Sequence, residues 1–120
     1  AMRTVESMRS SLEPILDLTE LRTIAADRFW MSPAYGQDIV SIQFNWRNDG
    51  PGVSHFLPIL EKELAPFEAR PHWGKLFATS PARIETLYER LPDFRELART
   101  HDPHGKFRNT FLDEIIFRDA

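Results

Sequence analysis

The chain has 120 residues, no cysteine and a formal net charge of −3, and 42% of its residues are hydrophobic. That length and apolar content indicate one folded domain and exclude a disordered chain. The charge excludes the basic surface of a nucleic-acid-binding protein, and the missing cysteines exclude disulfides and thiolate chemistry.

The first strand is predicted where a pattern of period two begins. Residues 1–17 mix polar and apolar types without a sustained period, which indicates a short helical or irregular lead-in. From Leu18 to Ala26 the residues alternate, so Glu20 and Arg22 point to the same side of a strand. Two residues along a strand span about 6.6 Å, which keeps these two side chains close to each other.

A second strand is predicted from Ile39 to Trp46, where apolar and polar residues alternate cleanly. Gln43 and Asn45 fall on its polar side. Antiparallel pairing of the two strands could place them beside Glu20 and Arg22. One face of the sheet would then be polar and the other apolar.

The middle of the chain predicts a helix and a third strand. The turn signal at residues 47–52 precedes apolar residues at helical spacing from Val53 to Leu64. Pro58 lies inside that pattern, so the helix either kinks there or begins close to it. Lys75 to Ala78 is interpreted as a third strand.

The last third of the chain predicts helices. Ser80 is a typical N-cap with proline after it, and the apolar stripe that follows reaches Leu91. Pro92 interrupts the helix and restarts it, and residues 101–105 end it. The tail from Lys106 to Phe117 is an extended segment or a short helix. These elements predict an α+β fold, an antiparallel sheet with helices packed on one side.

The stretch Arg70–Lys75 is a candidate site, because two cations bracket an imidazole and an indole around one glycine. The alternative is a turn shaped by Pro71 and Gly74, with Trp73 filling core. In the same way, Glu20 and its neighbouring arginine could be an exposed ion pair of little energetic value. If the face is covered, these groups together suit several hydroxyls, as a polyol or sugar site requires.

No metal or cofactor motif is present in the sequence. His101 and His104 flank Asp102, but the end of a helix explains that string, and no metal site is predicted. A Gly-rich phosphate loop and a nucleophile elbow are both missing. No apolar run approaches the roughly 18 residues of a membrane-spanning helix, and nothing at the start resembles a signal peptide. We therefore expect no transmembrane segment and a cytoplasmic location.

Four segments form an ordered series of motifs along the chain. They are Thr19-Glu20-Leu21-Arg22-Thr23-Ile24, Ser32-Pro33-Ala34-Tyr35-Gly36, Arg70-Pro71-His72-Trp73-Gly74-Lys75 and Asp102-Pro103-His104-Gly105-Lys106-Phe107-Arg108-Asn109. In this order they resemble the C-terminal part of the flavin-dependent alditol and aldonolactone oxidases of the vanillyl-alcohol-oxidase-like superfamily. The resemblance runs from about Leu18 to Phe111, and the last two motifs are fairly specific as a pair.

The resemblance implies a larger enzyme with an N-terminal FAD domain and a substrate, or cap, domain. Residues 1–17 would be a lead-in segment, and residues 18–120 the C-terminal part of the substrate domain. The enzyme would oxidise a hydroxyl of a sugar alcohol such as xylitol or sorbitol, or of an aldonolactone, and pass electrons to O2 to give hydrogen peroxide. FAD would be bound mainly by the N-terminal domain, so the 120 residues alone would be inactive.

The resemblance also implies roles for single residues. Arg22 can stabilise negative charge on the alkoxide or flavin, Glu20 can orient Arg22, and Lys75 can donate to a hydroxyl or act as a base. The segment Gln43-Phe44-Asn45-Trp46 departs from the family's His-Phe-Thr-Trp, which leaves the choice between alditol and lactone open. The implied assignments are Glu20, Arg22 and Lys75 as catalytic residues, Gln43, Asn45 and His72 for substrate, and Arg22 and Asn109 for the cofactor.

Two other interpretations remain open. The chain could be a small-molecule binding or interaction module that uses the polar sheet face without redox chemistry, or a structural domain in which the three catalytic candidates lie apart. Convergence of those candidates on one ligand would exclude the structural domain. Apolar surface around Trp73, Phe107 and Phe111, which would meet the N-terminal domain, could also lead the 120 residues to dimerise.

Overall fold

The computed structural model describes residues 1–118 and has an α+β architecture, so the predicted fold class is confirmed. Its sheet has two antiparallel strands, β1 (Leu16–Ile24) and β2 (Ile39–Trp46). The helices of the described residues are α1 (Met2–Ser7), α2 (Arg9–Leu12), α3 (Gly50–Leu64), α4 (Pro81–Leu87), α5 (Leu91–His101) and α6 (Thr110–Ile115), with a 3₁₀ turn at Ala65–Phe67. None of these described helices is long and apolar enough to cross a membrane.

The apolar face of the sheet packs against helices that come before and after it in the chain. The rings of Phe44 and Trp46 on β2 stack with centroids 5.2 Å apart, and Trp46 meets Phe56 of α3 edge-on at 6.4 Å. The buried residues of this first core are Leu12, Ile15, Phe56 and Leu60. Helices therefore cover one side of the sheet, as the alternation along β2 predicted.

A second core lies between α4, α5 and α6. The helix break predicted near Pro92 is confirmed, since α4 ends at Leu87 and α5 begins at Leu91. The short helix predicted in the tail is α6. The buried residues of this second core are Ile84, Leu87, Tyr88, Leu91, Ile116 and Phe117.

Helix α3 runs without interruption through Pro58, so of the two predicted alternatives the start close to Pro58 is wrong, and the kink at Pro58 stays a prediction. The helix begins at Gly50, where the Asp49 side chain caps it by accepting from the Gly52 N–H at 3.1 Å. Proline removes one hydrogen bond inside a helix. Because Ser54, whose carbonyl loses that bond, is exposed like Pro58 itself, water can hydrate the free carbonyl.

The prediction of a third strand from Lys75 to Ala78 is also wrong, because residues 69–80 form neither helix nor strand. A strand needs a neighbouring strand to accept its backbone N–H groups. Here the Lys75 N–H donates to the His72 carbonyl, and the Ala78 N–H donates to the carboxylate of Glu61. Because both N–H groups already have acceptors outside the sheet, the segment forms no backbone ladder with β1 or β2.

The predicted apolar surface is present in part. Phe107 is 83% exposed and Phe111 is 38% exposed, as expected for a surface that meets another domain or molecule. Trp73 is half-buried instead, since its ring packs on the second core. Dimerisation through the exposed phenylalanines stays a prediction.

Candidate functional site

The charged pair of the predicted polar face lies on β1. The Arg22 Nη2 donates to Glu20 Oε2 at 2.6 Å, and the two side chains are 66% and 35% exposed. An ion pair this open to solvent contributes little to stability. The other N–H groups of Arg22 make no further hydrogen bond within residues 1–118, so they are free to meet a ligand.

The amide candidates continue the same polar face on β2. Gln43 stands directly opposite Glu20 in the strand register, and its Nε2 donates to Asn45 Oδ1 at 3.1 Å. Asn45 stands opposite Leu18, diagonal to Glu20. β1 begins at Leu16, two residues before its predicted start, and its register with β2 shifts between Leu16 and Leu18. The predicted polar face is therefore confirmed.

His72 and Lys75 lie together in a tight turn of residues 69–80, the irregular segment that forms neither helix nor strand. The Lys75 N–H donates to the His72 carbonyl at 3.0 Å, and His72 Nδ1 accepts from the Gly74 N–H at 3.0 Å. A neutral imidazole whose Nδ1 accepts carries its proton on Nε2, so His72 can offer a donor to a ligand. The Lys75 side chain is exposed and, in the described part of the chain, makes no hydrogen bond or ion pair with Glu20 or Arg22. Convergence of the turn and the sheet face on one ligand stays a prediction.

Hydrogen bonds tie this turn to the β1–β2 loop. Arg70 Nη1 donates to the carbonyls of Pro33 and Tyr35 at 3.1 and 3.2 Å. The Trp73 Nε1 donates to the Met31 carbonyl at 2.7 Å. Both donors flank the histidine of the turn, so the Arg and Trp of the predicted motif hold two loops together.

The same two residues also contact Tyr88 of the second core. The Trp73 ring lies 4.8 Å from the Tyr88 ring and 6.4 Å from that of Phe77, and the Arg70 guanidinium lies 5.4 Å from the Tyr88 ring. The core-filling interpretation of Trp73 is thus correct for its ring, while its N–H fixes a loop. Tyr88 is the point where the turn rests on the core.

The burial of Tyr88 predicts that the stability of the protein falls at alkaline pH. Burial raises the pKa of Tyr88 to about 12, and the Arg70 guanidinium lowers that pKa by a smaller amount. In the unfolded chain the phenol ionises at about 10, so only the unfolded chain loses this proton between the two values. The buried, protonated phenol contributes its full share to the free energy of unfolding below about pH 10. Between about pH 10 and 12 that free energy falls by about 1.4 kcal/mol per pH unit. We expect urea unfolding at increasing alkaline pH to show this loss in the wild type and not in Tyr88→Phe; parallel profiles would contradict it.

The last motif has a structural part in the fold. The Asn109 Oδ1 accepts from the Leu112 N–H at 2.9 Å and caps α6. This bond leaves the amide N–H groups of Asn109 as donors, and its contact with a cofactor stays a prediction. Asp102 accepts from the N–H groups of Lys106 and Phe107 at 2.8 Å each, so it closes a turn.

Two residues that act on these segments were missed from the sequence. The Arg90 guanidinium lies 4.5 Å from the centroid of the Trp30 ring, and hydrogen bonds to Asp93 and Tyr35 raise the pKa of Arg90. Glu61 on α3 accepts two hydrogen bonds from the end of the irregular segment. No periodicity or motif marks either residue, because Trp30 and the segment are distant from them in sequence.

A cavity of about 550 Å³ lies between α1, α2 and β1. Its lining includes the apolar residues Val5, Leu12, Leu16 and Leu21. None of the predicted catalytic or substrate-binding residues lines it. The predicted site is instead an open face of the sheet and the exposed turn.

The sequence matches a known protein family over most of its length. The family model described as D-arabinono-1,4-lactone oxidase matches residues 9–115. The chain belongs to the D-arabinono-1,4-lactone oxidase family. The match includes both strands, α3 to α6 and the whole irregular segment, so the resemblance inferred from the four motifs is confirmed.

Three relatives of this member of the D-arabinono-1,4-lactone oxidase family are named as oxidases of an alditol, a lactone and a long-chain alcohol. Alditol oxidase of a Streptomyces species is 44% identical over 116 residues, which is 97% of the chain and 28% of the relative. L-gulonolactone oxidase of Scyliorhinus torazame is 29% identical over 101 residues, 82% of the chain and 23% of the relative. A long-chain alcohol oxidase of an uncultured marine euryarchaeote is 33% identical over 70 residues, which is 58% of the chain and 15% of the relative. The chain therefore spans less than a third of the length of each of these relatives.

Proposed function

We propose that this chain is the C-terminal substrate-binding part of an FAD-dependent oxidase that acts on a sugar alcohol. The observation that carries the proposal is the polar sheet face, where Glu20, Arg22 and Gln43 present a carboxylate, a guanidinium and an amide. Such donors and acceptors suit a ligand with several hydroxyls. The 44% identity to an alditol oxidase, against 29% to an L-gulonolactone oxidase, favours an alditol over an aldonolactone.

In this proposal Lys75 and Arg22 act on the hydroxyl that is oxidised. Lys75 donates a hydrogen bond to the oxygen, or takes the hydroxyl proton as a base once bound substrate and a covering domain bury it. Arg22 is a permanent cation that stabilises negative charge developing on that oxygen, and its ion pair with Glu20 orients the guanidinium. The remaining hydroxyls are bound by the candidates Gln43, Asn45 and His72.

The donor set fits FAD as the electron acceptor. Arg22 has unused N–H groups on the open sheet face, and Asn109 keeps its amide N–H groups beyond the cap of α6. Bound FAD would take the hydride from the substrate carbon and pass the electrons to O2, so that the alcohol and O2 give a carbonyl and hydrogen peroxide. Most of the FAD site would lie in an N-terminal domain of a cytoplasmic protein. The 120 residues alone are then expected to be inactive.

The test is a peroxide assay on the full-length protein that contains this chain. Flavin is measured from the visible absorbance, and hydrogen peroxide release is followed in air with xylitol, sorbitol, an aldonolactone and a long-chain primary alcohol. We expect a yellow protein that releases peroxide fastest with a polyol. The lactone and the long-chain alcohol are included because the other two relatives are named as oxidases of these substrates.

The outcomes separate the parts of the proposal. A yellow protein that prefers the lactone would contradict the alditol assignment and keep the oxidase. A colourless protein that binds a polyol without releasing peroxide would contradict the oxidase and support the non-catalytic binding module instead.

A further inference from the structure

Glu61 on α3 holds the end of the segment that carries Lys75. Its Oε1 accepts from the Ala78 N–H at 2.7 Å, and its Oε2 accepts from the Thr79 hydroxyl at 2.6 Å. Both carboxylate oxygens thus serve one segment, and no ion pair found among the described residues uses them. Hydrogen bonds to an ionised acceptor are stronger than neutral ones. The helix behind Glu61 is itself fixed, because the adjacent Leu60 is buried in the first core.

The other end of the segment is held by Trp73. Its N–H donates to the Met31 carbonyl, and its ring packs against Tyr88. Lys75 lies between Trp73 and Ala78, in a stretch without helix or strand. No ladder of backbone bonds fixes such a stretch, so the position of Lys75 depends on side-chain contacts. Trp73 holds the side before Lys75, and the Phe77 ring, packed on the second core, and Glu61 hold the side after it. Removing Glu61 frees the backbone of Ala78 and Thr79 and leaves Phe77 as a contact on that side.

We propose that Glu61 is a positioning residue for Lys75: its carboxylate fixes residues 75–79 so that the Lys75 amino group meets the hydroxyl being oxidised. The inference rests on the proposed function for the role of Lys75. Glu61 acts through the backbone of the segment and does not touch the substrate. Removal of the Glu61 carboxylate is therefore expected to lower kcat and to change KM less.

The test compares Glu61→Ala and Glu61→Gln in the full-length protein with Glu63→Ala, which removes the same charge from an exposed position of the same helix. Hydrogen exchange at the Ala78 amide measures the anchor, and kcat and KM for the polyol measure its consequence. Glu61→Ala loses both hydrogen bonds, so exchange of the Ala78 amide is expected to be about tenfold faster and kcat about tenfold lower, with flavin absorbance unchanged. Glu61→Gln should restore most of both, since its amide can accept from Ala78 and donate to the Thr79 hydroxyl.

A double-mutant cycle with Lys75→Ala separates positioning from a general effect on stability. If Glu61 acts through Lys75, then Glu61→Ala lowers kcat little further once Lys75 is alanine. The same fold loss in both backgrounds overturns the inference. Should Glu61→Ala fail to fold, Thr79→Val removes only the hydroxyl bond and should give the same changes at smaller size; normal exchange and kcat there overturn the inference.

Failure of the proposed function has a different signature. An oxidase whose Glu61→Ala variant keeps normal kcat and slow Ala78 exchange overturns only the inference about Glu61. A wild-type protein without oxidase activity overturns the proposed function. In that case faster Ala78 exchange in Glu61→Ala still supports the anchor, and unchanged exchange overturns it.

Discussion

Replacing Lys75 with alanine is expected to lower kcat of the full-length protein for a polyol by about a hundredfold or more, with its flavin absorbance unchanged. The side chain is exposed and makes no hydrogen bond or ion pair within residues 1–118. Its removal therefore leaves the fold intact and takes away only what it does to the substrate. Steady-state peroxide release, together with thermal unfolding of both proteins, measures the two quantities.

Two control variants sharpen this experiment. Lys62→Ala removes the same charge from an exposed position of α3 and is expected to keep kcat within about twofold. Lys75→Arg keeps the cation and its donors but cannot act as a base, because the guanidinium stays protonated. Activity retained in Lys75→Arg would indicate a donor, and activity lost would indicate a proton acceptor. A normal kcat in Lys75→Ala would contradict any catalytic assignment of Lys75.

The Leu91→Ala substitution is expected to lower the free energy of unfolding by about 2–5 kcal/mol. Leu91 is 0% exposed and belongs to the second core, together with Ile84 and Tyr88. Alanine at this position removes buried apolar atoms and leaves a cavity between α4 and α5. Urea unfolding of wild type and variant, with equal slopes against urea concentration, measures the difference.

The matched control lies on the same helix. Leu97 on α5 is 46% exposed, so Leu97→Ala removes less buried surface and is expected to cost less than about 1 kcal/mol. Equal losses in the two variants would show that the second core is not closed around Leu91. Because Trp73 rests on that core, a disrupted core would also loosen the turn that carries Lys75.

Structural features that depend on residues close together in the sequence were predicted correctly. The alternation along β2 indicated which side chains share a face, because an extended backbone itself turns successive side chains to opposite sides. The register confirms this, with Gln43 opposite Glu20. The start of α4 was also predicted, because the Ser80 hydroxyl accepts from the Arg83 N–H three residues later.

The third strand shows where such patterns fail. Residues 75–78 contain strand-compatible side chains, but a strand exists only if a neighbouring backbone accepts its N–H groups. The acceptor of the Ala78 N–H is the side chain of Glu61, on a helix that no local pattern links to this segment. The sequence predicted a site in the Arg70–Lys75 stretch, and nothing in the stretch itself showed what holds it.

The sequence by itself therefore determined the α+β class, the polar face with Glu20 and Arg22, and the motifs that carry the family resemblance. The tertiary structure alone decided that the Lys75 segment is an anchored turn and that Trp73 both packs on the core and fixes a loop. The physical reason is distance along the chain. Strand alternation and helix caps join residues two to four apart, whereas the anchors join Glu61 to Ala78 across 17 positions and Trp73 to Met31 across 42. Bonds of that separation form only when the packed cores bring the segments together.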